Sequence, residues 1–363
     1  MRIASILLLA ALLTGFATPV DEPAIVLQEF IYENGPYPSV HASTIVETTA
    51  KVVAISEGKE TDVPTHELVA AWFGGTRERA PDVGIWVSRR EKKGWTQSVE
   101  VATGLQPDGT RYPTWNPVLF QPRSGPLMLF YKVGPSPEEW WGEVRTSTDN
   151  GRTWSAARRL PTGILGPIKN KPVQLADGTI VAGSSTESHA EPSKWQVHFE
   201  WSTDGGRNWS ATAPVNDGTT IGAIQPSILF RERIGGEKLL AVGRTEQGKV
   251  FSTTSDDGGN TWSAMSLIDD LPNPNAGIDA VTLADGRQLI VYNPVTRGRT
   301  PLALAVSRDG KTWTKVLTLE DQPGEYSYPA VIQTADGLVH ITYTWKRQRV
   351  KHVVVDPTKL SGA

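Results

Sequence analysis

The sequence predicts an all-β fold, a six-bladed β-propeller that forms one domain behind a short leader. Three observations predict it. A turn motif, S-x-D-x-G-x-T-W, recurs along the chain; a second motif, a polar or amphipathic residue followed by Pro or Ala, alternates with it; and no amphipathic helix longer than two turns competes with the strand patterning. From Trp95 the successive motif tryptophans lie 59, 55, 53 and 51 residues apart, so the repeating unit is about 50 residues, the size of a four-stranded blade.

The elements follow in order. Residues 1–17 place Arg2 before an apolar run that ends at Gly15 and Ala17, a pattern that predicts a cleaved signal peptide and an exported, periplasmic or secreted, protein. The run is short for a membrane span, and no later stretch reaches the ~18 apolar residues of one. The propeller is expected over residues 24–357. Its first unit opens at His41-Ala42 and closes on a degenerate turn from Ser88 to Trp95. The next four open at Asn116-Pro117, Lys171-Pro172, Gln225-Pro226 and Asp279-Ala280. Their turns run from Ser147 to Trp154, Ser202 to Trp209, Ser255 to Trp262 and, one residue shorter, Ser307 to Trp313. Asp and Gly supply the bend, Ser and Thr satisfy local donors, and the Trp packs between neighbouring sheets. The sixth unit, opening at Tyr328-Pro329, lacks this turn. It is expected to take a strand from around Ala24–Tyr32 to close the ring.

Composition narrows the function classes. With 36 basic against 39 acidic residues the chain has no electrostatic footprint for nucleic acid or an anionic membrane. The absence of cysteine removes disulfides, thiolate metal sites and thiol nucleophiles. Catalysis would use oxygen, imidazole or amine groups. No H-E-x-x-H or comparable metal motif is present, so neither a metal nor another cofactor is expected. The run from Lys346 to Lys351 reads as a solvated strand of the closing blade.

The propeller makes one geometrical statement about function. His41, Asn116, Lys171, Gln225, Asp279 and Tyr328, of six different types, begin equivalent strands and should converge on one mouth of the axis, lining a polar pocket.

The turns, and the units around them, resemble the sialidase (neuraminidase) superfamily, in particular sialidase-like BNR-repeat proteins, over nearly all of the chain after the leader. The resemblance implies an exo-glycosidase that releases a terminal carboxylated sugar from a glycan with retention. It matches Arg77 and Asp82 to the region of the acid/base Asp. It matches Arg244 and Arg299 to arginines that bind the sugar carboxylate, and Glu325-Tyr326-Ser327-Tyr328 to the segment of the nucleophilic Tyr. Tyr326 takes the nucleophile position and Tyr328 the ring position. Two departures stand out. The family's Arg-Ile-Pro opening is replaced by Val40-His41-Ala42, which puts His41 beside the place of the lost arginine, and the Glu that activates the Tyr is matched by Gln225. Asn116, Lys132, Glu143, Lys169, Lys171 and Asp279 then offer a different polar set for an acidic sugar. Two alternatives remain: a lyase or atypical glycosidase on uronate-containing polysaccharide, with His41 and a Tyr moving protons, and a carbohydrate-binding propeller without catalysis.

Overall fold

The computed structural model describes residues 22–49, 51–56, 59–64 and 66–360; the leader expected over residues 1–17 lies outside them. Six antiparallel sheets stand around an axis. Blade one runs outward through Ser39–Thr48, Glu67–Gly75 and Gly84–Glu91, and its outer edge is shared by Gly94–Trp95 and Val99–Ala102. A hairpin, Lys51–Ser56 with Lys59–Pro64, extends the turn between its first two strands. Blades two to five have four strands each and begin on Thr114–Phe120, Val173–Gln174, Ala223–Phe230 and Asp279–Thr282. Blade six consists of Tyr326–Gln333, Val339–Trp345 and Arg349–Val355, and its outermost strand is Ile25–Phe30, so the two ends of the chain close the ring as the sequence predicts. Among the described residues the only helix is a turn of 3₁₀ at Pro357–Lys359. No helix among these residues is long and apolar enough to cross a membrane.

The turn motif works as a stitch between blades. In the second blade Ser147 Oγ accepts from Gly151 N (2.8 Å) and donates to Asp149 Oδ1 (2.8 Å), while the same carboxylate accepts from Thr153 N and Oγ1 (2.8 and 2.5 Å). The Ser147 and Asp149 side chains thus meet the backbone donors of Gly151 and Thr153 inside the turn. The motif glycines at 151, 206, 259 and 310 have φ between 71° and 93°, and a Cβ on each would meet Val69, Met128, Val181 and Leu240 respectively, all on the second strand of the preceding blade. Glycine is required twice there, for the left-handed backbone and for the close approach. The tryptophans cover the same seam: Trp262 stacks on Phe199 at 3.6 Å and Trp209 meets Phe130 edge-on at 5.9 Å. Such a pair adds about 1 kcal/mol beyond its area burial. Because the motif turns join third to fourth strands, they lie at the end of the axis opposite the starts of the innermost strands, which leaves that other end for chemistry.

Candidate functional site

Four innermost strands carry a bulge near their start. Pairing jumps by one residue between His41 and Thr44, Trp115 and Val118, Ile224 and Ser227, and Ser327 and Ala330. The bulged residues Ala42, Asn116, Gln225 and Tyr328 all have positive φ, 53°, 41°, 59° and 51°. A bulge re-aims a side chain out of the alternating pattern of its strand. The X-Pro motif read in the sequence is this bulge in blades two, four and six, where the proline follows the left-handed residue.

In three blades the expected ring is corrected. Blade one places the bulge on Ala42, with Ser43 in the proline's position; on that register the first residue of an Arg-Ile-Pro opening falls on His41 itself, not beside it. In blade three Lys169, at φ 71°, takes the mouth position and Lys171 lies two residues deeper. In blade five Asp279 is likewise deeper. Lys171 and Asp279 form an ion pair (3.0 Å) inside the axis, and Lys171 lines a cavity of about 460 Å³ at the opposite end with Phe230, Ile234 and Gln333. The sequence motif misplaces them because Lys171-Pro172 and Asp279-Ala280 copy the dipeptide without the bulge.

The mouth is organised around Tyr328. The His41 ring lies against its ring at a centroid distance of 4.0 Å, and Gln225 Nε2 donates to its hydroxyl at 3.4 Å. Three cations surround it: the Arg244 and Arg299 guanidinium carbons stand 5.5 and 5.7 Å from the ring centroid and the Lys169 ammonium 5.9 Å. Arg244 also covers Trp195 at 5.3 Å and donates to Asn275 O at 3.0 Å. Among the described residues its buried Nε, and Gln225 Oε1, have no hydrogen-bond partner. Burial, and the charges of Arg347, Arg299, Arg244 and Lys169, hold the His41 imidazole well below its ordinary value. It is therefore neutral at pH 7, with Nδ1 bonded to Thr344 Oγ1 at 3.0 Å.

Tyr326 is not at this mouth. It is 1% exposed and belongs to the apolar cluster between blades five and six, with Leu302, Tyr343 and Trp345 nearby. A regular strand would place 326 and 328 on one face. The bulge at 328 separates them, sending one ring into the blade seam and the other to the axis. Asn116, 4% exposed, holds the bulge of blade two.

Arg77 and Asp82 lie on the loop between the second and third strands of blade one, both exposed. Asp82 Oδ2 accepts from Thr76 N (2.8 Å) and Thr76 Oγ1 (2.7 Å). Burial would raise its carboxyl, but the Thr76 bonds and the Arg111 charge outweigh it and hold the group below its ordinary value. Asp82 is thus ionised at pH 7 and closes its own turn. The loop is tied to the mouth through other residues. Glu78 accepts from Arg347 Nη1 (2.7 Å), Arg347 Nε donates to Glu325 (2.7 Å), and Glu325 accepts from Arg299 Nη1 (2.8 Å). Arg347 stands in a turn, not in the solvated strand expected for the run at 346–351, with φ 58°. The sequence reading missed it because nothing in a basic run marks which member turns inward.

Glu187 is a second group without a motif. It ends the second strand of blade three opposite Trp195, and burial pushes its carboxyl up to about 7 against the Arg244 charge. Lys132 is also fully buried, donating to Pro167 O at 2.9 Å, and Glu143 bonds Tyr131 and Trp141. These are links within blade two and its connection to blade three. No cluster of three or more His, Asp or Glu positioned for a metal occurs among the described residues.

The propeller fold agrees with what the chain is similar to. Residues 66–341 match the family described as the BNR repeat-like domain. A sialidase of Micromonospora viridifaciens is 25% identical over 187 residues, 49% of this chain; the match spans 27% of that relative's length. A Dyadobacter fermentans protein of unknown function superposes with a TM-score of 0.70 at 18% identity, over 91% of this chain and 98% of the other. The NanB sialidase of Streptococcus pneumoniae (0.68, 12%, 92% and 71%) and the intramolecular trans-sialidase of Ruminococcus gnavus (0.66, 13%, 94% and 99%) share the fold.

Proposed function

The chain belongs to the BNR repeat-like domain family, and on that premise we propose that it cleaves the glycosidic bond of a terminal carboxylated sugar at the axial mouth, with Tyr328 as the reactive phenol. One observation carries the reading: three cations, Arg244, Arg299 and Lys169, surround a single phenol within 6 Å of its ring. Guanidinium forks suit a carboxylate, and a neutral phenol is a better nucleophile than a carboxylate toward an anomeric carbon that bears one. The Tyr328 oxygen attacks that carbon, and the bond to the leaving oxygen breaks. The leaving oxygen takes a proton from the protonated form of Asp82, which takes it from solvent when the two Thr76 bonds are broken and the bound sugar shields the carboxyl from water. Neutral His41, whose ring lies tilted at 44° against the phenol, receives the phenol's proton once the bound carboxylate offsets the cationic charges that depress it, since Gln225 cannot hold one. Water then attacks the anomeric carbon, the bond to the Tyr328 oxygen breaks, the water's proton goes to Asp82, and His41 returns its proton to the departing phenolate.

The close contact of the His41 and Tyr328 rings favours a second reading, elimination on a uronate. There His41 takes the proton α to a carboxylate held by the cations, the bond to the leaving oxygen breaks as the ring double bond forms, and Tyr328 protonates that oxygen. Incubation of the full chain with 4-methylumbelliferyl sialoside and with uronate-rich glycans separates the two. Release of the fluorophore, lost in Tyr328→Phe, is the expected result. New ultraviolet absorbance from an unsaturated uronate would replace hydrolysis by elimination, and binding without any product across the panel would leave a carbohydrate-binding propeller.

A further inference from the structure

Resting on the reading above, we propose that Lys169 is the specificity-determining cation of the mouth: its ammonium, buried beneath Tyr328 and bonded only to neutral oxygens, makes the site select an anionic sugar over its neutral ester. Lys169 is 2% exposed and crosses the axis from blade three, donating to Asn170 Oδ1 (2.9 Å), to Ile278 O of blade five (2.7 Å) and to Pro329 O of blade six. All three of its donors are used, so it acts on a ligand through its field. Its φ of 71° is a conformation that long side chains seldom adopt, and here it points the chain across the axis.

The neighbouring charges show why this one stands out. Lys171, two residues on, has Asp279 as its partner, and the Asp279 oxygens also accept from Ser227 Oγ, Ala280 N and Val331 N. Arg299 is met by Glu325. Among the described residues Lys169 has no bonded carboxylate, and neither has Arg244, which donates to Asn275 O; of the two, only Lys169 lies fully inside the axis with every donor spent on neutral oxygens. A buried ammonium so placed opposes folding, and pinning three carbonyl-type oxygens needs donors but no charge. An anion arriving at Tyr328 supplies the missing counter-charge.

This has a measurable consequence. Burial brings the Lys169 ammonium down to about 7, Lys171 and Arg244 acting in the same direction and Asp279 against them. A carboxylate bound above it raises that value again, so binding near pH 7.5 takes up protons. The charged and titratable groups facing Lys169 are Lys171 on its own segment, Arg244 of blade four, Asp279 of blade five, Tyr328 of blade six and His41 of blade one. His41 is held too low to contribute in this range. Glu187, beside Arg244 and also near 7, is one competing source, and Lys132, brought by burial to about 7 in blade two, is another.

Titration calorimetry of the full chain with N-acetylneuraminic acid, glucuronic acid and their methyl esters, in buffers of different ionisation heat at pH 7.5, tests this. The expected result is an acid that binds at least about tenfold tighter than its ester, with proton uptake that persists in Glu187→Gln and disappears, together with the preference, in Lys169→Met. Absence of uptake in the wild type, or its loss in Glu187→Gln, overturns the inference without reference to whether Lys169→Met folds. An acid preference retained in folded Lys169→Met overturns this inference alone. Equal or absent binding of the acids by the wild type overturns the proposed function with it.

Discussion

At the scale of single residues, the site turns on two tyrosines separated by one serine. Both are buried and both lie in the motif that the resemblance singled out, yet only Tyr328 contacts His41, Gln225 and the three cations. Tyr328→Phe should lower turnover by roughly 10³-fold or more, the scale expected when a nucleophile is removed. Tyr326→Phe should leave turnover within a few-fold of wild type and act on stability alone. Parallel rate measurements and urea midpoints check both, and the opposite ranking would return the nucleophile to Tyr326. The residue types were legible in the sequence: an aromatic–arginine–histidine set with no cysteine. The ring position of Tyr328 was legible too, but not that Tyr326 turns away from it, because a period-two strand gives both tyrosines the same face and only the bulge, which depends on how the inner strand meets its partner, separates them.

At the scale of elements, ring closure depends on one strand. Ile25–Phe30 pairs with Arg349–Val355 and is held by Glu29, whose carboxylate accepts from Trp95 Nε1 (2.9 Å), Arg90 Nε (3.1 Å) and His352 Nδ1 (2.9 Å). His352 Nε2 in turn faces His340 Nδ1 at 3.0 Å. With Glu29 ionised, His352 Nδ1 carries the proton and its Nε2 accepts from His340. Burial lowers the imidazoles of both, His340 to about 4, while the His352 bond, opposed by burial, leaves Glu29 at about 2. Each folded group binds fewer protons than its unfolded counterpart, so stability rises with pH in each window. The histidine contribution is present above about pH 6.5 and is lost as pH falls from there toward 4; the Glu29 contribution is lost between about 4.5 and 2. The urea midpoint should fall between pH 7 and 5 by an amount equal to roughly 2 kcal/mol, and His340→Phe should flatten that dependence. The borrowed strand was legible in the sequence because five motif turns for six units leave one blade a strand short. The His–His–Glu lock was not, since its members come from opposite ends of the chain.

At the scale of the whole molecule, the axis is built from crossing polar contacts as well as apolar seams. Asp279 joins four blades: it accepts from Lys171 of blade three, Ser227 of blade four, Ala280 N of its own blade and Val331 N of blade six. Asp279→Ala should destabilise the propeller by about 3–5 kcal/mol, the cost of a buried pair broken on one side, in a single cooperative transition followed by tryptophan fluorescence. A change confined to ligand affinity would show instead that Asp279 serves the mouth. The sequence by itself determined the number of blades, the closure of the ring, the positions of the stitches and the residue types available for chemistry. Those are properties of repeat and composition, which survive any small shift of register. The tertiary structure decided which of the other members face the mouth, placing Lys169 where Lys171 was expected, turning Tyr326 into the seam between blades five and six, and setting Arg347 at the rim. One extra residue in an inner strand reverses the direction of a side chain, and charges 100 or more residues apart acquire partners only when the ring closes.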